Sequence, residues 1–537
     1  MASILISKGD VYYLLLQGTK GKTCTNARYI YLLMVSSGLD SVPFLCDHLI
    51  RLFALCGNLV EANQVFYKAL VPSLFTWNSI ICAHVESGEC MRAFQLYQEM
   101  QANAINPDSI LYLTILRACV AIQNIDQGRQ IHGQIIIHGL DADMYLGSSI
   151  IDMYVKCMCL EDAHTVFSKI ANLNIVAWSA MISGYVNAGF CQPAMELYGK
   201  MQEEGFEPDC FIFPGILKAC GSVKNLQLGK ILHTKIRESG FEMDLAVSNS
   251  LIDMYCKCAT FDDACEVFNK MQSRNVITWT TLIVGYVQQG HSALALQVSN
   301  QMLLNGIVPQ RATFLAILKA CGSVDDIELG RTMHSHILQV GLVVDISIAN
   351  ALISMYAKCA NLDEASYLFE KVCDRNIVSW GAMISGYIQH GRHAYALHLF
   401  MRMQDEDIKT DVVMLASLLK ACGSIRAVHQ GRLIHDQVLR GNLQSDVVIG
   451  NSLITMYANC GIVSEAHAVF ANMLNRNLIS WGTILATLIE EGDAIHALFL
   501  IDKLQEEGIA FDQAIWLTAV QACGILGSIR KMRLVHE

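Results

Sequence analysis

The chain has 537 residues with a formal net charge of −11, 53% hydrophobic residues and only seven prolines. That length exceeds one compact core, and the apolar content excludes a disordered polymer. The acidic balance counts against strong non-specific nucleic-acid binding, which needs basic surface. No apolar run reaches the roughly 18 residues of a membrane helix, so the chain reads as soluble.

From the N-terminus, Met1 to Ser7 is too short for a secretory signal, and the stretch to Leu39 has one acid, Asp10, against Lys8, Lys20, Lys22 and Arg28. That balance weakly suggests an organellar transit peptide, but the same residues align with a repeat that fills the rest of the chain. Trp77, Trp178, Trp279, Trp380 and Trp481 recur every 101 residues. His132, His233, His334, His435 and His536 keep the same step. So do Cys119, Cys220, Cys321, Cys422 and Cys523, in "LRAC", "LKAC" and "VQAC" strings, and a second series from Cys56 to Cys460. Each period divides into units of 35, 35 and 31 residues, for example 175–209, 210–244 and 245–275. Within the first of these, Trp178, Met181, Ile182 and Tyr185 fall at helical spacing, as do Ala194, Leu197, Tyr198 and Met201. Gly189 and Gly205 stand where those two helices should stop.

A helical hairpin of this size cannot bury its apolar face alone and must stack on copies of itself. The predicted fold is therefore all-α, a right-handed superhelical solenoid of about fourteen stacked hairpins. A degenerate repeat is expected within 1–42, the regular array over 43–512, and an incomplete terminal repeat at 513–537. The last helix lacks a polar capping face, which suggests a fragment or a covering partner.

The strings "VSWGAMISGYIQHGRHAYALHLFMRM", "LLKACGSIRAVHQGRLIH" and "IGNSLITMYANCGIVSEAHAVF" are similar to those of plant pentatricopeptide repeat proteins of the PLS class. The resemblance covers nearly the whole chain. It implies a sequence-specific binder of single-stranded RNA in a mitochondrion or plastid, serving C-to-U editing or RNA processing. Some members end in a zinc deaminase with H-x-E and C-x-x-C. His84-Val85-Glu86 is an isolated H-x-E and no C-x-x-C occurs, so an editing deaminase or accessory protein would act in trans. No membrane, small-molecule substrate, cofactor or resident metal is expected, and the chain is not expected to be an enzyme.

In that family the fifth and last residues of a repeat read one base. The resemblance gives Asn78/Asp108 as a U reader, Ser148/Asn174 as A and Ser179/Asp209 as G. Asn249/Asn275, Asn350/Asn376 and Asn451/Asn477 are given as pyrimidine readers and Thr280/Gln310 as a purine reader. Asp47/Ser73, Gly381/Asp411 and Gly482/Asp512 stay unread. Leu113, Pro214, Leu315 and Ala416 cannot hydrogen-bond a base through their side chains, so the middle units are expected to space. From 5′ to 3′ the twelve units spanning 74–477 read U-x-A-G-x-Y-R-x-Y-n-x-Y, with x a spacer and n unread. The resemblance places Val176, Ile277, Val378 and Ile479 against base faces. Lys156, Lys257 and Lys358 are candidates for phosphates, with Asn459 breaking that series.

Other roles compete. Asp143, Asp244, Asp345 and Asp446 suit helix N-caps. The Trp series suits core packing. Five equivalent histidines cannot be one active site. Arg28, Arg129, Lys230, Arg331, Arg432 and Arg533 are expected to form a solvated row on the second helices. Cys157/Cys159 and Cys256/Cys258 resemble metal ligands, but neither pair repeats one period away. The periodic cysteines fit as small buried hydrophobes in a reducing compartment. The alternative to RNA binding is a protein-binding helical scaffold.

Overall fold

The computed structural model describes residues 7–21, 24–68, 72–170, 173–406, 408–506, 511 and 513–525. Over these it contains 31 α-helices, two single-turn 3-10 helices and no strand. None of the helices is long and apolar enough to cross a membrane. The helices pair into fifteen successive hairpins followed by one further helix, Gln513–Ile525, one hairpin more than expected. His536 and Arg533 lie outside the described residues, as does Asp512.

The chain divides into two compact units, Met1–Ser273 and Arg274–Glu537. Within each, the first helix of every hairpin packs on its own second helix and on the first helices before and after it. Each second helix also packs on the first helix that comes next. The first helices therefore form the continuous seam of each stack. Lys8–Gly21 packs on Cys24–Ser36 and on Pro43–Leu55, the same packing as in the hairpins that follow.

The difference between 35 and 31 residues has a simple origin. Second helices of the 31-residue units, such as Leu160–Lys169 and Leu362–Lys371, have 10 residues, while Cys191–Glu203 and His393–Asp405 have 13. One helical turn of about 3.6 residues is missing. Gly189 and Gly205 sit at φ +86° and +82°, the left-handed conformation that ends each helix without a Cβ penalty.

The core repeats with the sequence. Trp178, Trp380 and Trp481 are almost wholly buried. Phe167, Phe369 and Phe470 meet them edge-on with ring centroids 4.8 Å apart, an arrangement that adds about 0.5–1.5 kcal/mol beyond area burial. His132, His233, His334 and His435 each hydrogen-bond the hydroxyl of Tyr154, Tyr255, Tyr356 or Tyr457 at 2.8–3.0 Å. These tie the second helix of a middle hairpin to the first helix of the next. Burial holds all four imidazoles below their ordinary pKa. The same two helices meet where Gly128, Gly229, Gly330 and Gly431 admit the sulfurs of Met153, Met254, Met355 and Met456. Burial pushes the thiols of Cys119, Cys220, Cys321 and Cys422 up to about 12, which makes them unreactive hydrophobes.

The described members of the row expected to be solvated are exposed on the second helices, and each is also ion-paired. They reach carboxylates on the next second helix: Arg28–Glu61, Arg129–Asp162, Lys230–Asp263, Arg331–Glu364 and Arg432–Glu465, at 2.5–3.3 Å. The cation of one hairpin and the acid of its successor lie 33 residues apart, so stacking brings them together. Such exposed pairs add little to stability, because solvent screens them.

Candidate nucleic-acid interface

In each unit where it is a described Asp or Asn, the last residue of a repeat accepts backbone N–H groups at the start of the next first helix. Asp143, Asp244, Asp345 and Asp446 each accept two backbone N–H groups through Oδ1. Asp108, Asn174, Asn275, Asn376, Asp411 and Asn477 cap in the same way, while Asp209 accepts from Phe211 and Ile212 N–H in the turn just ahead of its helix, whose N-cap is Phe211. An N-cap satisfies otherwise orphaned donors. It also fixes the orientation of the side chain, since an Asn must present its oxygen to the helix.

The fifth residue then decides what remains. Asn78 Nδ2 donates to both oxygens of Asp108 at 3.1 Å. The Ser148 hydroxyl lies 2.8 Å from Asn174 Oδ1. Asn350 Nδ2 donates to Asn376 Oδ1 at 3.2 Å, and Asn451 Nδ2 to Asn477 Oδ1 at 3.3 Å. In the latter two pairs the Nδ2 group of the last Asn makes no hydrogen bond among the described residues. Ser379 contributes as well, since its hydroxyl donates to Asn350 Oδ1 at 2.6 Å.

Two pairs are not joined. Ser179 shares no hydrogen bond with Asp209, whose Oδ1 accepts from Phe211 and Ile212. Thr280 meets the hydroxyl of Thr313 at 2.6 Å instead of Gln310, which is exposed. Asn249 lies on Leu245–Lys257 in the first unit, and Asn275 caps Val276–Gln288 in the second. In the unread pair Asp47/Ser73, Asp47 is buried, and burial raises its carboxyl pKa.

Val176, Ile277, Val378 and Ile479 are 57–65% exposed, apolar side chains held out of the core. The same helical position carries more of them than the family resemblance points to. Phe75 belongs to the same series, one period before Val176, and is exposed. In the other units Phe44, Ile110, Tyr145, Phe211, Val413 and Val448 stand at the second position, also exposed. The usable signal is an apolar residue that falls off the buried stripe of its own helix.

The three candidate lysines differ. Lys156 and Lys257 are engaged by Asp152 and Asp253 one turn back, at 2.8 and 2.7 Å. Lys358 has Ser354 in that place and no carboxylate partner among the described residues. In the second unit the features converge on one open groove of about 770 Å³, lined by Asn350, Asn376, Val378, Lys358, Asp411 and Val413 among others. Among the described residues no three His, Cys, Asp or Glu side chains are placed to hold a metal ion.

Known proteins carry the same repeats. The PPR repeat family model matches residues 72–121 and 274–323, and the PPR repeat model matches 176–206, 247–276, 347–377, 378–408 and 451–478. A pentatricopeptide repeat-containing protein of Arabidopsis thaliana, named mitochondrial, is 30% identical over 514 residues, covering 95% of this chain and 74% of the relative. The chain belongs to the pentatricopeptide repeat family. A second Arabidopsis thaliana pentatricopeptide repeat-containing protein, named chloroplastic, is 29% identical over 94% of this chain and 62% of its own length. The chain thus spans three-fifths to three-quarters of these two pentatricopeptide repeat relatives. The pentatricopeptide repeat protein PPR10 from maize shares the fold, with TM-score 0.62 and 16% identity over 98% of this chain and 83% of that one. PPR10 in complex with an 18-nt psaJ RNA element aligns with TM-score 0.61.

Proposed function

We propose that this chain binds single-stranded RNA sequence-specifically, one base per reading repeat. It serves as the recognition factor for C-to-U editing or RNA processing in a mitochondrion or plastid. The observation that carries this reading is the groove of the second unit. There a capped Asn376, its partner Asn350 and the exposed Val378 stand on one open wall. An apolar face beside a small polar pair is what an unstacked base needs. The 35-35-31 order supports a PLS-class reading, with an editing deaminase or accessory protein as partner.

The base code derives from which hydrogen bonds the cap leaves open. A last-position Asp has only acceptors, so it suits the ring N–H of uracil or guanine. A last-position Asn has its oxygen committed to the cap and offers Nδ2, so it suits the bare ring nitrogen of cytosine or adenine. Asn350/Asn376 and Asn451/Asn477 are thereby assigned to cytosine within the pyrimidines. Asn78→Ser should move preference at its nucleotide from U toward G, by about 1–3 kcal/mol on the scale of single-base discrimination. Equal affinity of N78S and the parent for both RNAs in a binding titration at fixed salt removes the pairing rule. A parent that binds no RNA and retains partner proteins instead would favour the scaffold reading.

A further inference from the structure

The middle hairpins, which lack a reading pair, each carry one cation that the core does not use. Arg117 and Lys218 in the first unit, and Lys319 and Lys420 in the second, occupy the same position 101 residues apart. All four are exposed. None forms an ion pair among the described residues, and Lys218 makes a single neutral contact, to Asn187 Oδ1 at 3.2 Å. The second helices show the opposite pattern, where every described member of the basic row meets a carboxylate. Lys156 and Lys257 are likewise neutralised within their own helices. In a chain of net charge −11, these first helices of the middle hairpins thus present unpaired positive charge at a fixed period.

For three of the four, its placement follows the exposed apolar second positions. Arg117, Lys218 and Lys420 stand seven residues after Ile110, Phe211 and Val413. That is two turns along the helix and within about 20° of the same face. Those three apolar residues are 65–74% exposed. Lys319 itself lines the groove with Asn350, Asn376 and Lys358. We propose that Arg117, Lys218, Lys319 and Lys420 contact the phosphodiester backbone of the bound strand, so that each middle hairpin is an anchor instead of a spacer. The inference rests on the RNA-binding reading. It predicts one charge contact for every three hairpins, sequence-blind and salt-sensitive, between pairs that carry the specificity.

The test measures affinity against salt for the full chain with two fluorescein-labelled probes, 5′-UUAGUCAUCUUC and a scrambled strand of the same composition. Replacing all four cations by Gln should lower the slope of log affinity on log salt by about 2.8, at about 0.7 per lost contact on a single strand. Affinity near 0.15 M salt should fall on the order of a hundredfold for both probes, leaving their ratio unchanged. Lys319→Gln alone should lower the slope by about 0.7, and it serves if the fourfold variant loses its helical melting transition. Lys319→Arg should keep the parental slope. The matched control replaces Arg129, Lys230, Arg331 and Arg432 by Gln and should leave the slope where it was. An unchanged slope in the fourfold variant or K319Q overturns the anchor assignment while RNA binding stands, and so does a slope lost equally in the control. A parent chain that binds neither probe at low salt overturns the RNA reading itself.

Discussion

At the level of single residues, the proposed base code asks one side chain to do two things. Asn376 Oδ1 accepts from Val378 and Ser379 N–H at 3.1 Å each, and also from Asn350. Structure and recognition can be separated because Asp caps a helix about as well as Asn. Asn376→Asp should leave the melting temperature nearly unchanged while turning preference at that nucleotide from C to U, read by titration with the two RNAs. Asn376→Ala should cost about 1 kcal/mol of stability as well as discrimination. A variant N376D that loses stability but keeps its base preference would leave the residue as a cap alone. The capping role of Asp143 and its periodic copies is legible in the sequence, because Asp before an apolar helical stripe is a general signal. The split fate of Ser179 and Thr280 is not. Nothing in the string tells that Thr280 finds Thr313 33 residues on, since that contact depends on how two first helices stack.

Helix against helix, glycine lets neighbouring side chains come close at several joints. A Cβ placed on Gly386 would come 2.5 Å from Ala357 Cβ, whereas one on Gly330 would meet Met355 Sδ at 2.6 Å. The distances match but the neighbours do not. Ala357 has no torsion to turn, so Gly386→Ala must shift a helix and should cost about 1–3 kcal/mol. Met355 has three, so Gly330→Ala should cost less, the thioether adopting another rotamer. Chemical denaturation of the two variants side by side tests the order, and a G330A that is the less stable of the two refutes it. Helix type, length and pairing are legible at this scale because the 3.6-residue periodicity is written into every unit. The exposed apolar positions are legible only in part: the resemblance points to Val176 but not to Phe75, Tyr145 or Phe211. Likewise the cations in "LRAC" and "LKAC" stand in strings whose periodic cysteines draw the eye first. Exposure depends on which faces neighbouring helices cover, and a lone sequence shows only the pattern, not the covering.

Over the whole chain, periodicity turns small terms into sums. The four histidines bonded to tyrosines are held neutral by burial, with pKa values below the ordinary imidazole value. Their favourable contribution is complete above the unfolded value of about 6.5 and is lost as pH falls below it through the lower folded values. Thermal or urea melts at pH 7.5 and 5.5 should therefore show acid destabilisation. A variant with His132, His233, His334 and His435 changed to Gln should show a flatter pH dependence. Equal pH dependence in both chains would mean these groups do not carry the effect. The Arg432–Glu465 pair between two successive second helices behaves otherwise, since Arg432 holds Glu465 below its usual carboxylate range and that pair persists well below pH 6.

The glycine and methionine contacts recur twice in each unit with nearly the same geometry. One joint is therefore almost interchangeable with another. A chain refolding from denaturant can dock a middle hairpin onto the wrong successor, one whole period along, and bury nearly as much surface as the correct match. Such misdocked forms are kinetic traps of the kind repeated domains are prone to. They must undock before the chain can proceed, whereas emergence from the ribosome one hairpin at a time offers each joint a single partner.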